Sequence, residues 1–227
     1  MLHRKHLGFI NIVYNFRGTT MTRKELEIVL EEDIAPFHDP DVLSEQYVTF
    51  PTLAADFLWH LSLSTKLKDS SCVDLGCGTG MLGYGLLLLG AKHVTFVDHD
   101  GQALQQVEKL LAEQGITEER YTILLQSAQH VTKKADIYVQ NPPFGTRKEH
   151  EDTVFLETAL QNAEKVFTMH KTVTREHIVK KIRGLKHRII YEQQYRYPLK
   201  KTLSHHTETK KYIDVSGFIT QNINLKG

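Results

Sequence analysis

Two patterns of hydrophobic residues alternate along the chain: short continuous apolar runs, and longer stretches with apolar positions three or four residues apart. The first pattern is typical of buried strands, and the second of amphipathic helices that pack against them. Strands are predicted at 72–75, 93–97, 121–125, 135–140, 166–169, 188–191 and 212–219. Helices are predicted at 21–32, 49–61, 80–89, 101–114, 154–164 and 174–185. Because strands alternate with helices over most of the chain, we expect βαβ units around a parallel sheet.

No linker rich in proline or glycine divides the chain, so we expect a single domain over 21–227. Within it, 21–68 would form helices ahead of the sheet, and 69–227 the sheet itself with a C-terminal segment. Residues 1–20 are expected to be a disordered leader, with Met21 as the native start. They carry three Lys and Arg residues and no acidic one, so a weak organelle-import signal is the alternative.

The composition is that of a globular protein, with 41% hydrophobic residues and 28 Lys+Arg against 27 Asp+Glu, a net charge of +1. This balance excludes a disordered polyelectrolyte. Cys72 and Cys77 lie too close together for a disulfide framework, which favours a reducing compartment. The longest apolar stretch, 81–89, is too short to cross a bilayer, which takes roughly 20 residues. We therefore expect a soluble protein of the cytoplasm or nucleus that does not associate with membranes.

The small net charge hides a segregation of charge along the chain. Residues 1–170 contain 15 Lys+Arg and 23 Asp+Glu, whereas 171–211 contain 12 Lys+Arg and only 3 Asp+Glu. Asymmetry of this size is typical of a surface that binds a polyanion, although a charged run can also be a solvated face. Charge alone leaves these two interpretations open.

A glycine-rich turn follows the first strand of the predicted sheet. Gly76, Gly78 and Gly80 alternate after Asp74 and lead into a helix, which lets the backbone approach a ligand closely. The spacing differs from the dinucleotide-binding fingerprint, and the turn lacks the Lys-Ser/Thr pair of a triphosphate-binding loop. The second strand is followed by Asp98, where a carboxylate can bind both hydroxyls of a ribose. The pattern therefore predicts a nucleoside-type ligand.

A second chemical motif, Asn141-Pro142-Pro143-Phe144, follows the strand 135–140. The two prolines fix the backbone and remove two donors, so the loop presents an amide side chain, carbonyl oxygens and an aromatic ring. Such a loop can hold a planar amine, because Asn141 Oδ1 and the Pro142 carbonyl can each accept an N–H while Phe144 stacks on a base. We take these four residues as the catalytic group. They suit an adenine, a guanine or a glutamine side-chain nitrogen.

The glycine-rich turn together with Asp98 resembles S-adenosylmethionine-dependent methyltransferases of the doubly wound class. The resemblance implies an α/β fold with a mostly parallel, seven-stranded Rossmann-like sheet and an antiparallel C-terminal strand. It also implies S-adenosylmethionine as the cofactor, with the turn holding its methionine and ribose parts. The cofactor-binding residues implied within the sheet are Asp74, Gly76, Cys77, Gly78, Gly80, Asp98, Ser127, Ala128 and Asn141. Ala128 stands where this class usually has an acid that reads the adenine amino group.

A narrower resemblance extends over 43–215, to the methyltransferase-like enzymes that place a single N6-methyladenosine in small-subunit ribosomal RNA. The motifs that carry it are 43–49 (LSEQYVT), 141–146 (NPPFGT), 169–171 (MHK) with 174–177 (TREH), and 210–211 (KK) before 213–214 (ID). It implies that Gln46 and Thr49 approach the cofactor, and that Asn141 and Phe144 handle the target adenine. It also implies a partner, a small zinc-binding activator protein. The apolar strand 121–125, expected at a sheet edge, could accept an added strand.

The basic segment, residues 171–211, is predicted to form the surface that faces the RNA, here called the RNA-facing rim. Its expected RNA-binding residues are Lys171, Arg175, His177, Lys200, Lys201, Lys210 and Lys211, and His170 is placed on the same rim. No metal site is expected, because these histidines lack a second His or Cys at ligand spacing. The sequence therefore predicts an S-adenosylmethionine-dependent RNA adenine-N6 methyltransferase acting on ribosomal RNA. The alternatives are a protein glutamine-N5 or RNA guanine-N2 methyltransferase, or a catalytically silent ribosome assembly factor that binds RNA.

Overall fold

The computed structural model describes the backbone of residues 13–14, 20–35, 49–143, 151–199 and 211–224. Near its start, β1 (Val13–Tyr14) and β2 (Thr20–Met21) pair in antiparallel fashion. Helix α1 (Arg23–Asp33) follows at once, because Thr22 and Glu25 form a capping box at its start. The Thr22 hydroxyl oxygen accepts the Glu25 N–H at 3.2 Å, and the Glu25 carboxylate accepts the Thr22 N–H at 2.7 Å.

The remaining elements follow in the order that the hydrophobic pattern predicts. The helices are α2 (Pro51–Ser64), α3 (Met81–Leu88), α4 (Gly101–Glu113), α5 (Glu151–Asn162) and α6 (Arg175–Gly184). The strands are β3 (Ser71–Leu75), β4 (His93–Asp98), β5 (Tyr121–Leu125), β6 (Ala135–Gln140), β7 (Ala163–Lys171), β8 (His187–Leu199) and β9 (Lys211–Asn222). The predicted βαβ arrangement is therefore confirmed.

Strands β3 to β9 form one sheet with the order β5-β4-β3-β6-β7-β9-β8. Neighbours from β5 to β7 are parallel, whereas β9 runs antiparallel to both β7 and β8. This confirms the seven-stranded, mostly parallel sheet with an antiparallel C-terminal strand, and it confirms that β5 lies at an edge. The strand order reverses at β3, which lies between β4 and β6. The carboxyl ends of these three strands therefore border a crevice of the kind that binds ligands in such folds.

Several element boundaries differ from the predicted ones, most clearly at the end of α5 and in the two C-terminal strands. The predicted end of the α5 helix at residue 164 is wrong, because β7 begins directly at Ala163. Strands β8 and β9 are also longer than predicted, since they pair with each other along their whole length, from His187 with Asn222 to Leu199 with Lys211. Of the β8 side chains that the structure describes, those of residues 187–196, only His187 is buried, so pairing with β9 is what keeps most of this strand extended.

Helices cover both faces of the sheet, with α1 to α4 on one face and α5 and α6 on the other. On the first face, Phe57 of α2 is fully buried, and its ring stacks on Phe167 of β7 with centroids 4.7 Å apart. Strand β9 carries Gly217 under this ring. A Cβ atom at Gly217 would lie 1.9 Å from Phe57 Cζ. Because Gly217 has no side chain, α2 can pack directly on the sheet.

Candidate active site

The glycine-rich turn leaves β3 and closes on β4. The Gly76 and Cys77 amides both donate to the Val97 carbonyl, at 2.8 and 2.9 Å. Gly76 and Gly80 have φ values of +68° and +80°, a region that L side chains rarely adopt. A Cβ at Gly76 would also lie 2.6 Å from the Phe155 ring of α5. The turn therefore needs glycine for its conformation as well as for the close approach of its neighbours.

Asp74 lies at the base of this turn, in the last part of β3. Its side chain is almost fully buried, and its Oδ2 accepts the Gly83 N–H at 2.7 Å in the first turn of α3. Burial raises the pKa of Asp74 to about 7, although the Gly83 hydrogen bond opposes this and the nearby charge of Asp98 adds to it. Asp74 is therefore a carboxyl group that changes its charge near neutral pH.

Asp98 ends β4 on the opposite side of the turn. Its Oδ2 accepts the Gly78 N–H at 2.9 Å, and its Oδ1 accepts the Asp100 N–H at 3.0 Å and lies 3.3 Å from His99 Nδ1. Burial opposes its ionisation, but these hydrogen bonds, that from His99 foremost, lower the pKa of Asp98 below its ordinary value. The structure thus brings an ionised carboxylate to the glycine turn, which fits the predicted binding of a ribose.

The residues after β5 approach the same crevice. The backbone N–H of Gln126 donates to the backbone carbonyl of Asp98 at 2.8 Å, which places Ser127 and Ala128 beside the end of β4. Gln126 Nε2 in turn donates to the His130 carbonyl at 2.8 Å and closes this turn. No Asp or Glu occurs at 126–130, so the expected substitutes for an acid at the adenine are the Gln126 side chain, the exposed Ser127 hydroxyl or a backbone carbonyl.

Asn141 follows β6 and faces the start of α2. Its Nδ2 donates to Thr49 Oγ1 at 3.0 Å, and Thr49 is itself buried. Within the described residues, the buried Asn141 Oδ1 has no hydrogen-bond partner. The hydrogen bond to Thr49 therefore fixes the orientation of the Asn141 side-chain amide. Its carbonyl oxygen remains as an acceptor for an incoming N–H. Pro142 is buried beside it and Pro143 is half-buried.

The predicted RNA-facing residues fall into different environments. Lys171 ends β7 at the same edge of the sheet as Asn141, and His177 is exposed on α6. Arg175 is held by Glu192 of β8 through two hydrogen bonds, of 2.6 and 2.8 Å. The placement of His170 on the rim is wrong, because its side chain is only 1% exposed.

Several predicted site residues have no described side chain. Gln46, Phe144, Lys200, Lys201 and Lys210 lie outside the described residues. Lys211 is described only as the first residue of β9. Most of the predicted leader, 1–20, also lies outside them, apart from the residues that pair in β1 and β2.

Sequence reasoning missed a buried polar chain beneath Asn141. Gln140, Thr168 and His170 lie on one face of β6 and β7 and are hydrogen-bonded in series. The only available signal was a polar residue at the end of one apolar run and a threonine within another. Both are common in strands, so the pattern did not mark them.

In the described part of the chain, no three His, Cys, Asp or Glu side chains are grouped so as to hold a metal ion. No helix in that part combines the length and the apolar character that crossing a bilayer requires.

The chain is similar to known methyltransferases in both sequence and structure. A sequence profile described as the methyltransferase small domain matches residues 38–172. The rRNA N(6)-adenosine-methyltransferase METTL5 of Danio rerio is 32% identical over 200 residues, which cover 86% of this chain and 95% of that protein. The rRNA N(6)-adenosine-methyltransferase Mettl5 of Drosophila melanogaster is 33% identical over 185 residues, which cover 79% and 87%. The crystal structure of a candidate RNA methyltransferase, PH1948 from Pyrococcus horikoshii, has a TM-score of 0.81 at 28% identity, over 90% of this chain and all of that one.

Proposed function

The chain belongs to the methyltransferase small domain family and is an S-adenosylmethionine-dependent methyltransferase, and we propose that it methylates N6 of an adenosine in small-subunit ribosomal RNA. The observation that carries the proposal is the Asn141 amide: Thr49 holds its Nδ2, and its buried Oδ1 has no hydrogen-bond partner among the described residues and can accept an amine N–H. The names of the Danio and Drosophila relatives support adenosine in rRNA as the acceptor. The small-subunit target rests on the motif resemblance alone.

The described residues fit the cofactor that the family uses. In the glycine-rich turn, Gly76, Gly78 and Gly80 have positive φ and carry no side chain, which lets a ligand approach the backbone closely, and the ionised Asp98 suits a ribose diol. When bound, S-adenosylmethionine supplies an electrophilic methyl group on a positively charged sulfur. Asp74 and Asp98 place two carboxyl groups beside the glycine-rich turn, and their negative charge favours a cationic ligand.

The chemistry required of the protein at the acceptor is positioning. The lone pair of an adenine amino group is delocalised into the ring, so the group is a poor nucleophile. If Asn141 Oδ1 and the Pro142 carbonyl each accept one of its N–H groups, the nitrogen is held in place and its developing positive charge is stabilised. The N–C bond forms as the S–C bond breaks, and the amine proton passes to water. This route requires no acid or covalent nucleophile.

An RNA acceptor is favoured over a protein acceptor by the surface of the C-terminal hairpin. On β8 and β9, the Arg196 guanidinium lies 4.9 Å from the centroid of the Tyr212 ring, and both side chains are exposed. Arg188 is exposed on the same strand. Cationic and aromatic side chains side by side are typical of surfaces that bind single-stranded RNA. A glutamine methyltransferase would have no evident use for them.

The direct test is methyl transfer from radiolabelled S-adenosylmethionine to deproteinised ribosomal RNA and, separately, to RNA-free ribosomal protein. We expect label in the small-subunit RNA, and N6-methyladenosine as the labelled nucleoside after digestion. Label in protein alone, or in N2-methylguanosine, would contradict the proposal. Sequencing the modified position in RNA from cells with and without the protein would then identify the target.

Charge reversal of Lys210 and Lys211 is expected to weaken RNA binding about ten-fold or more, because each lysine is assigned to a phosphate contact. The slope of log Kd against log salt should fall by about two, one unit for each lost contact. Filter binding across a salt series measures both quantities. Charge reversal of the exposed Lys66 and Lys68, in the acidic part of the chain, is the matched control. An unchanged slope in the Lys210/Lys211 variant would show that these lysines are only solvated.

Cofactor affinity is expected to depend on pH through Asp74. Since burial raises the pKa of this carboxyl to about 7, it is mostly protonated at pH 6 and ionised at pH 8. A cationic ligand favours the ionised form, so we expect binding to be about ten-fold weaker at pH 6 than at pH 8. Calorimetry at both pH values measures this. Asp74→Asn should remove most of the difference, whereas an equally steep dependence in that variant would exclude Asp74 as its source.

The partner implied by resemblance, a small zinc-binding activator, would bind at β5. This strand pairs only with β4 among the described strands, and Leu125 at its end is 64% exposed. An edge strand with exposed apolar residues can accept a strand from another chain. Gel filtration of the protein expressed alone and with the activator tests this. A stable and fully active monomer would argue against a required partner.

A further inference from the structure

We propose that Asp152, His170 and Thr168 form a buried relay that positions Gln140, and through it Asn141, for methyl transfer; this rests on the function proposed above. Gln140 Nε2 lies 2.9 Å from Thr168 Oγ1, which lies 2.8 Å from His170 Nε2. His170 Nδ1 lies 3.5 Å from the Asp152 carboxylate at the start of α5. The relay therefore connects α5 with the residue directly before Asn141.

The hydrogen-bond chemistry gives the relay one direction. Because the Asp152 carboxylate faces His170 Nδ1, the proton of the neutral imidazole lies on Nδ1, and Nε2 is an acceptor. The Thr168 hydroxyl therefore donates its hydrogen to His170 Nε2, and its oxygen accepts the Gln140 side-chain N–H. Burial lowers the pKa of His170 and favours this neutral form, and among the described residues the other titratable group that acts on the ring is His177 of α6. The two hydrogen bonds thus fix the Gln140, Thr168 and His170 side chains relative to one another, and the Asp152 carboxylate faces the far side of the His170 ring.

Positioning explains the relay better than either nucleophilic chemistry or stability. An Asp-His-Thr series can activate a hydroxyl, but Thr168 is fully buried and cannot reach a substrate. As a stabilising feature the relay is poor, because Gln140 Oε1 and His170 Nδ1 are buried without a hydrogen-bond partner among the described residues. The hydrogen bonds of the relay do, however, restrict the end of β6 to one arrangement. Displacements of about 1 Å in reacting groups can cost roughly a hundred-fold in rate.

The test compares Thr168→Val, which is nearly isosteric but has no hydroxyl, with Thr168→Ser, which keeps it. We expect Thr168→Val to lower the single-turnover rate about ten-fold or more and Thr168→Ser to restore it to within about three-fold. The dissociation constant for S-adenosylmethionine should stay within about two-fold in both. The matched control is Thr220→Val. Thr220 is equally buried and lies 3.0 Å from His187 Nδ1, but its register partner is Val166, near the start of β7.

Thr220→Val should lower the melting temperature about as much as Thr168→Val, yet leave the rate unchanged. The proposal is overturned if Thr168→Val keeps the wild-type rate, if Thr168→Ser is no better than Thr168→Val, or if Thr220→Val is equally slow. Should the wild type not methylate RNA at all, the proposed function fails, and hydrogen exchange decides on the relay. Exchange at the backbone amides of Gln140 and Asn141 should be faster in Thr168→Val than in Thr168→Ser; equal rates would contradict it.

Discussion

Replacement of Asn141 with alanine is expected to lower the rate of methyl transfer at least about a hundred-fold while cofactor affinity stays within about three-fold. The reason is that the buried Oδ1 is the acceptor assigned to the substrate amine, and removal of one preorganised hydrogen-bonding group commonly costs this much. Single-turnover kinetics with saturating RNA measure the first quantity, and calorimetry with S-adenosylmethionine the second.

Thr49 provides the matched variants for this experiment. Its hydroxyl accepts the Asn141 Nδ2 hydrogen at 3.0 Å, so Thr49→Val should release the amide and lower the rate by a smaller factor, on the order of ten-fold. Thr49→Ser should retain most of the activity. A large loss of cofactor binding in Asn141→Ala, with little effect on the rate at saturating cofactor, would instead assign Asn141 to the cofactor site.

Replacement of Gly217 with alanine is expected to destabilise the protein by about 2–3 kcal/mol, the upper range for overpacking a buried site. The added Cβ would lie 1.9 Å from Phe57 Cζ. The Phe57 ring cannot easily yield, because it is stacked on Phe167 and lies 5.0 Å from the Tyr195 ring. Thermal unfolding should show a melting temperature lower by roughly 5–10 °C.

Gly184→Ala is the control for this prediction. It lies at the end of α6, and a Cβ there would meet nothing within 4 Å. Because alanine favours a helix over glycine, Gly184→Ala should leave stability unchanged or raise it by up to about 1 kcal/mol. Equal melting temperatures for the two variants would show that α2 can move away from β9 at little cost.

The parts of the fold that follow from the sequence are those determined by local pattern. The apolar runs at β3, β4, β5 and β6 are short and alternate with helices, so their order along the chain and their parallel arrangement were predictable. The glycine turn and Asn141 were predictable as site residues for the same reason. Both directly follow strands of a parallel sheet, and the carboxyl ends of such strands meet at one edge.

The parts that could not be predicted depend on contacts between distant residues. Thr49 and Asn141 are hydrogen-bonded across 92 positions of the chain, and no local pattern indicates which hydroxyl meets which amide. His170 lies next to Lys171 in a basic segment, and only its place on the inner strand β7 shows that it is buried. The outer part of β8 has no amphipathic signal of its own, because its conformation depends on β9.

The two outer strands of the sheet, β5 and β8, lie six strand spacings apart. At about 4.8 Å for each spacing, this separates them by about 30 Å. A protein strand added to β5 and an RNA strand along β8 and β9 would therefore not compete for the same surface. We therefore expect that the proposed activator and the proposed RNA substrate can bind at the same time, and that a variant that weakens one of these complexes leaves the other intact.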